Sequence, residues 1–89
     1  MPIVIVPAPY RGPTQGHGEI SVEGATPREC IEAVEREYPG FLELVLDGDG
    51  AVHRFIKLFV NHEEIDPKAV DHPIEAADRL EVLAAIAGG

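Results

Sequence analysis

Apolar and polar residues alternate in short blocks along the chain, and each block predicts an element. Ile3-Val4-Ile5-Val6 is β-branched throughout and lies between prolines, which reads as a first strand. Residues 7–18 hold three prolines with Gly12, Gly16 and Gly18, a loop longer than a simple hairpin needs. Glu19-Ile20-Ser21-Val22-Glu23 then alternates strictly and should pair antiparallel with the first strand. Thr26-Pro27-Arg28-Glu29 is a dense helix start: Thr26 caps, Pro27 fits the first helical position and Glu29 completes a capping box. Cys30, Ile31, Val34 and Tyr38 follow at helical spacing as one buried stripe, and Pro39-Gly40 ends the helix. Phe41 to Leu46 predicts a further helical turn, closed by Asp47-Gly48-Asp49-Gly50.

The second half reads as strands. In Phe55 to Val60, Ile56, Leu58 and Val60 share one face, and Phe55, Lys57 and Phe59 share the other. Asn61-His62 predicts a turn into a short strand around Glu64-Ile65, and Pro67 and Pro73 bracket an irregular segment. Leu80 to Ile86 is the last strand, with Leu80, Val82, Ala84 and Ile86 opposed to Glu81, Leu83 and Ala85. The order strand, strand, helix, strand, short strand, strand predicts an α+β fold, a β-grasp (ubiquitin-like) roll. About five strands would form its mixed sheet, with one main helix on one face. In that arrangement the last strand lies beside the first, in the centre of the sheet, and its end projects into solvent.

Composition narrows the picture without changing it. The 89 residues make a single domain, 1–89, with one modest core, and 45% hydrophobic with 26% charged residues is ordinary for a globular chain. The formal charge of −9 argues against nucleic acid and anionic membranes, which both ask for basic patches, and suits either a merely soluble acidic surface or docking on basic partners. One cysteine, Cys30, excludes an internal disulfide and a four-cysteine zinc site. The N-terminus has no basic region ahead of its short apolar run, which Pro7 breaks, and no stretch reaches the ~18 apolar residues of a membrane span. A cytoplasmic location is the expectation.

The chemistry sits at the other end. The chain closes on Ala87-Gly88-Gly89. Glycine has no Cβ, so a diglycine tail can extend into a narrow slot and offer its carboxylate to an enzyme. Other candidates carry less. Cys30 lies on the buried helix stripe, where a thiol behaves as a small hydrophobe. His17, His53, His62 and His72 have no metal spacing, and His62-Glu63-Glu64 lacks the second histidine of a zinc protease motif. Asp47-Gly48-Asp49-Gly50 has Leu58 where a calcium loop needs its bidentate glutamate, so it reads as a tight turn. Gly16-His17-Gly18 lacks the third glycine of a dinucleotide loop. No catalytic residue, metal site or bound cofactor is expected.

Marks spread over the chain resemble a known family. They are Arg11, Thr14 and Gly16 in the first loop, Ser21-Val22, Gly24, Tyr38-Pro39-Gly40 and Arg54-Phe55. Val60-Asn61-His62-Glu63-Glu64-Ile65, Asp78 and Ala87-Gly88-Gly89 complete the set. The whole chain resembles the ubiquitin-like sulfur carrier proteins (the ThiS, MoaD and CysO types), and the CysO type most of all. Two positions depart from the family's habit: Ala77 stands where a glycine usually precedes Asp78, and no proline precedes the tail.

The resemblance implies a protein cosubstrate and not an enzyme. An adenylating enzyme of the ubiquitin-activating type would use ATP to activate Gly89. A sulfur donor, a sulfurtransferase or cysteine desulfurase, would convert the acyl-adenylate to a thiocarboxylate, and a sulfur-accepting synthase would use it. Cysteine or another sulfur metabolite is the expected product. The alternatives are a protein modifier joined through Gly89 to lysines, a MoaD-like small subunit of molybdopterin synthase, or a β-grasp binding module whose diglycine is inert. Residues 87–89 would form a flexible tail, with Gly88 and Ala87 giving reach. Phe59, Leu83 and Ala85, on the sheet face not needed for the core, would dock partners, with the aromatic Phe59 first among them.

Overall fold

The computed structural model describes residues 1–85. One mixed sheet holds five strands, β1 (Ile3–Ile5), β2 (Glu19–Ser21), β3 (Ile56–Val60), β4 (Glu63–Ile65) and β5 (Arg79–Ala84), in the spatial order β2-β1-β5-β3-β4. β1 runs parallel to β5 and antiparallel to β2, while β3 is antiparallel to both β5 and β4. This is the β-grasp arrangement, with the last strand at the centre. The main helix, α1 (Pro27–Glu37), packs on one face, and a single turn, α2 (Leu42–Val45), follows it. Among the described residues no helix is long and apolar enough to cross a membrane.

The helix starts where the local chemistry demands. Thr26 Oγ1 accepts from Glu29 N–H at 3.1 Å, with Pro27 in the first turn. The Glu29 carboxylate reaches back to Ala25 N–H at 2.9 Å, one residue beyond the Thr26 amide that a capping box would use. At the other end Glu35 accepts from Gly40 N–H at 3.0 Å and Leu42 N–H at 2.8 Å. That carboxylate covers donors at the start of α2 which have no partner within that helix. Gly40 has φ +109, which a residue with a Cβ rarely adopts.

The core fills the space between sheet and helix. Val4, Ile20, Ile56, Leu58, Leu80 and Val82 come from the strands, Cys30, Ile31 and Val34 from α1, and Phe41, Val45 and Leu46 from around α2. Gly24 lets the chain pass against the helix start. A Cβ there would lie 2.9 Å from both the backbone nitrogen and the sulfur of Cys30.

Three expectations shift. β1 and β2 end at Ile5 and Ser21, although Val6 N–H still donates to Gly18 O at 2.8 Å and Val22 N–H to Pro2 O at 3.0 Å. The first loop holds structure of its own: residues 8–10 form a 3₁₀ turn, and Arg11 Nε donates to Val6 O at 3.0 Å. Thr14 is fully buried there, with its hydroxyl donating to His17 O at 2.9 Å. The segment between Pro67 and Pro73 is a 3₁₀ helix over residues 67–71, capped by Asp66 accepting from Lys68 N–H at 2.8 Å. The tight turn after α2 is as expected, with Asp47 Oδ1 accepting from Asp49 and Ala51 N–H at 2.8 and 3.0 Å.

Candidate functional site: the open sheet face and the central strand

Strand pairing places alternate residues of every strand on the face away from α1. Glu19, Ile5, Glu81, Phe59 and Glu64 form one row across all five strands. Leu83 sits opposite Lys57 in the next row. Beyond it, Ala85 N–H donates to Phe55 O at 2.7 Å, so the ladder continues one step past β5. Phe59, Leu83 and Ala85 therefore share one face, as the alternation implied.

Their exposure differs. Leu83 is 39% exposed and Ala85 is exposed, whereas Phe59 is half-buried between Glu81 and Glu64 in its row. Phe55 is the more open aromatic at 43% exposed, and it is absent from the expected docking set. Its ring stacks on His53, with centroids 5.0 Å apart and planes 14° from parallel. His53 is held in turn by Nε2 donating to Glu43 O at 3.0 Å. The signal for Phe55 was present in the sequence, since the alternation of β3 already put it beside Lys57 and Phe59. Ion pairs edge the face, Lys57 with Glu64 at 3.4 Å and Arg79 with Glu19 at 3.1 Å. Exposed pairs of this kind add little stability, so their effect is on the surface a partner meets.

The position of β5 is set by a side chain in the neighbouring turn. Asn61 and His62 both have left-handed φ, +50 and +73, the pattern of a two-residue type I′ hairpin. Asn61 Nδ2 donates to Asp78 Oδ1 at 2.8 Å, and Asn61 Oδ1 accepts from Arg79 N–H at 3.0 Å. Asp78 Oδ2 accepts from Glu75 N–H at 2.8 Å. That backbone bond, and then the Asn61 amide, hold the Asp78 carboxyl below the usual carboxylate range. Asn61 and Asp78 thus pin the start of the strand that carries Leu83. Ala77 lies in the turn closed by Asp78 N–H to Glu75 O at 3.1 Å, and its φ is not left-handed, so no glycine is needed there.

Cys30 is fully buried, and burial, with Glu29 adding to it, pushes its thiol up to about 11. A neutral, enclosed thiol is neither nucleophile nor metal ligand. Among the described residues no group of three histidine, cysteine or carboxylate side chains is placed to hold a metal ion. Ile86, Ala87, Gly88 and Gly89 lie outside the described residues.

Comparison with known proteins agrees with this geometry. The sulfur carrier protein CysO of Mycobacterium bovis is 32% identical over 89 residues, covering 97% of this chain and 96% of that one. A chain of the Amycolatopsis orientalis BexX/CysO complex superposes with a TM-score of 0.88 at 31% identity, over 100% of both chains. Mycobacterium tuberculosis CysO superposes with a TM-score of 0.87 at 28% identity, over 97% of this chain and 100% of that one. The sequence pattern of the ThiS family matches residues 4–89. The chain belongs to the ThiS family.

Proposed function

We propose that this protein is a sulfur carrier of the CysO type, adenylated and then thiocarboxylated at Gly89. The observation that carries this reading is an Ala87-Gly88-Gly89 terminus following the central strand in a chain similar, end to end, to a protein named as a sulfur carrier. A carboxylate is a poor electrophile. Attack of the Gly89 carboxylate on the α-phosphate of ATP, held by an adenylating enzyme, forms an acyl-adenylate and releases pyrophosphate. A sulfide-level nucleophile from a sulfur donor then forms the carbon–sulfur bond, and AMP leaves with the electron pair of the carbon–oxygen bond. The thiocarboxylate remains anionic at neutral pH and is a soft nucleophile toward an acceptor enzyme, with cysteine or another sulfur metabolite as the product. The chain acts as a protein cosubstrate, and its partners supply the catalysis.

Docking uses the open sheet face. Phe59, Leu83 and Ala85 share it, and Phe55 joins them as the most accessible aromatic. The Amycolatopsis relative occurs in a complex with BexX, which supports a carrier recognised through its folded surface.

The test is intact mass after incubation with ATP, an adenylating enzyme of the ubiquitin-activating type and a sulfide source. Exchange of one oxygen for sulfur is expected, and alkylation of the product must map to the tail. Conjugates of higher mass on target proteins would favour the modifier reading instead. Unimpaired activation of a chain extended by one uncleaved residue past Gly89 would overturn both.

A further inference from the structure

A second surface lies on the helix side of the sheet, away from the open face. β4 is one of the two edge strands, and beside it runs a groove of about 470 Å³ floored by Pro27, Val60, Ile65, Pro73 and Ile74. Glu63 stands on its rim, and no lysine or arginine lines it. The register puts Val60 opposite Glu63 and Leu58 opposite Ile65, so Glu63 and Ile65 face the groove side together. Glu64 also borders the groove, but the register turns its side chain to the other face, where its carboxylate pairs with Lys57 at 3.4 Å. In a two-residue hairpin the residues flanking the turn exchange the hydrogen bonds, and the next residue turns its amide and carbonyl outward. That residue is Glu64, so its main-chain groups are presented along the open edge.

The carboxylates near the groove are not equivalent. Asp78 is occupied by Asn61 at 2.8 Å and by Glu75 N–H at 2.8 Å, and Glu64 by Lys57. Among the described residues Glu63 has no ion-pair partner. An apolar floor ending at one available carboxylate matches the shape of an arginine or lysine side chain, an aliphatic stem with a cationic head. A strand added to a sheet edge points alternate side chains to one face, which would bring such a residue over the floor. The net charge of −9 favours approach of a basic segment.

We propose that the groove beside β4 takes an extended basic segment of a partner protein, which pairs with the β4 edge and lays an arginine or lysine over the apolar floor toward Glu63. The apolar floor lies on the opposite side of the sheet from Phe59 and Leu83, and the inference does not rest on thiocarboxylation.

The probe is a short acetylated peptide alternating valine and arginine, titrated into the ¹⁵N-labelled full chain. Amide shifts are expected at Glu63, Glu64, Ile65, Ala69 and Ile74. Glu63→Lys should weaken binding about tenfold, because it reverses the charge that meets the cation. Glu37→Lys, at the far end of α1, makes the same change in net charge and should alter affinity by less than about twofold. N-methylation of the peptide's edge-facing amides should abolish the shifts. The proposal fails if millimolar peptide moves none of these amides, or if the shifts centre on Lys57 and Leu83. It fails equally if the two charge variants lose affinity alike, or if the N-methylated peptide binds as well as the parent.

Discussion

The two faces of the sheet are built from the same strands, yet they hold different kinds of residue. On β5, Val82 is fully buried and its neighbour Leu83 is 39% exposed. On β3, Leu58 is 2% exposed while Phe55, before the strand, is 43% exposed. Away from the groove beside β4, the helix side is covered by α1, α2 and the 3₁₀ segment at 67–71, so a change of volume in that core is felt as lost packing. The open side has no such cover, and the side chains of Phe55 and Leu83 stay exposed there, which is the surface the proposed function assigns to docking. One sequence period thus serves two purposes, because a strand turns successive side chains to opposite faces.

The largest break in that comparison is expected from Leu58→Ala, which should cost about 3 kcal/mol through lost burial and the cavity left behind. A shift in the urea midpoint would read it, and a cost below about 1 kcal/mol would mean that the helix side collapses freely to refill the space. Gly24→Ala comes next at about 1–3 kcal/mol, since the new methyl meets the Cys30 backbone and not only its sulfur. Combining it with Cys30→Ala should recover part of the loss, and full recovery would show that the sulfur alone is in the way.

The open face should behave in the opposite manner. Phe55→Ala and Leu83→Ser are expected to move stability by less than about 1 kcal/mol. If the proposed function holds, they should nevertheless raise the KM of an adenylating enzyme for this protein by about tenfold, with kcat nearly unchanged. Equal loss of stability and of docking would erase the distinction between the faces.

The smallest effect lies at the flank of the helix side. Arg28 in α1 grips Asp71 with Nε at 2.6 Å and Nη2 at 3.3 Å, and its Nη1 donates to Gly50 O at 2.6 Å. The hydrogen bond from Arg28 holds the Asp71 carboxyl below its ordinary 3.8. A depressed carboxyl contributes stability above its unfolded pKa and loses it as pH falls through the lower folded value. Asp71→Asn should therefore soften acid unfolding below about pH 3.8 and leave its shape at neutral pH unchanged, as pH-dependent denaturation would show.

Much of the fold was legible because local and long-range signals agreed. Thr26-Pro27 marked the helix start, strict alternation marked β3 and β5, and the order of elements left few ways to arrange them. The short elements were less legible. The 3₁₀ turns at residues 8–10 and 67–71 rest on proline placement and, in the second, on one side-chain cap from Asp66, too local for a hydrophobic period to report. Of the candidate site, the face shared by Phe59, Leu83 and Ala85 followed from alternation. The ranking within it did not, because exposure depends on neighbours: Phe59 is enclosed in a five-strand row, whereas Phe55 sits where the sheet is ending.

By itself, the sequence determined the element order, which of the described residues of each strand face the core, and the burial of Cys30. Those follow from periodicity and capping chemistry. Only the tertiary structure decided that Asn61 sets the start of β5 and that Phe55 is the open aromatic. It alone showed a groove beside β4 with Glu63 at its rim. Each of these depends on residues brought together from distant parts of the chain, and no local pattern encodes which surfaces remain uncovered once the sheet has closed on its helix.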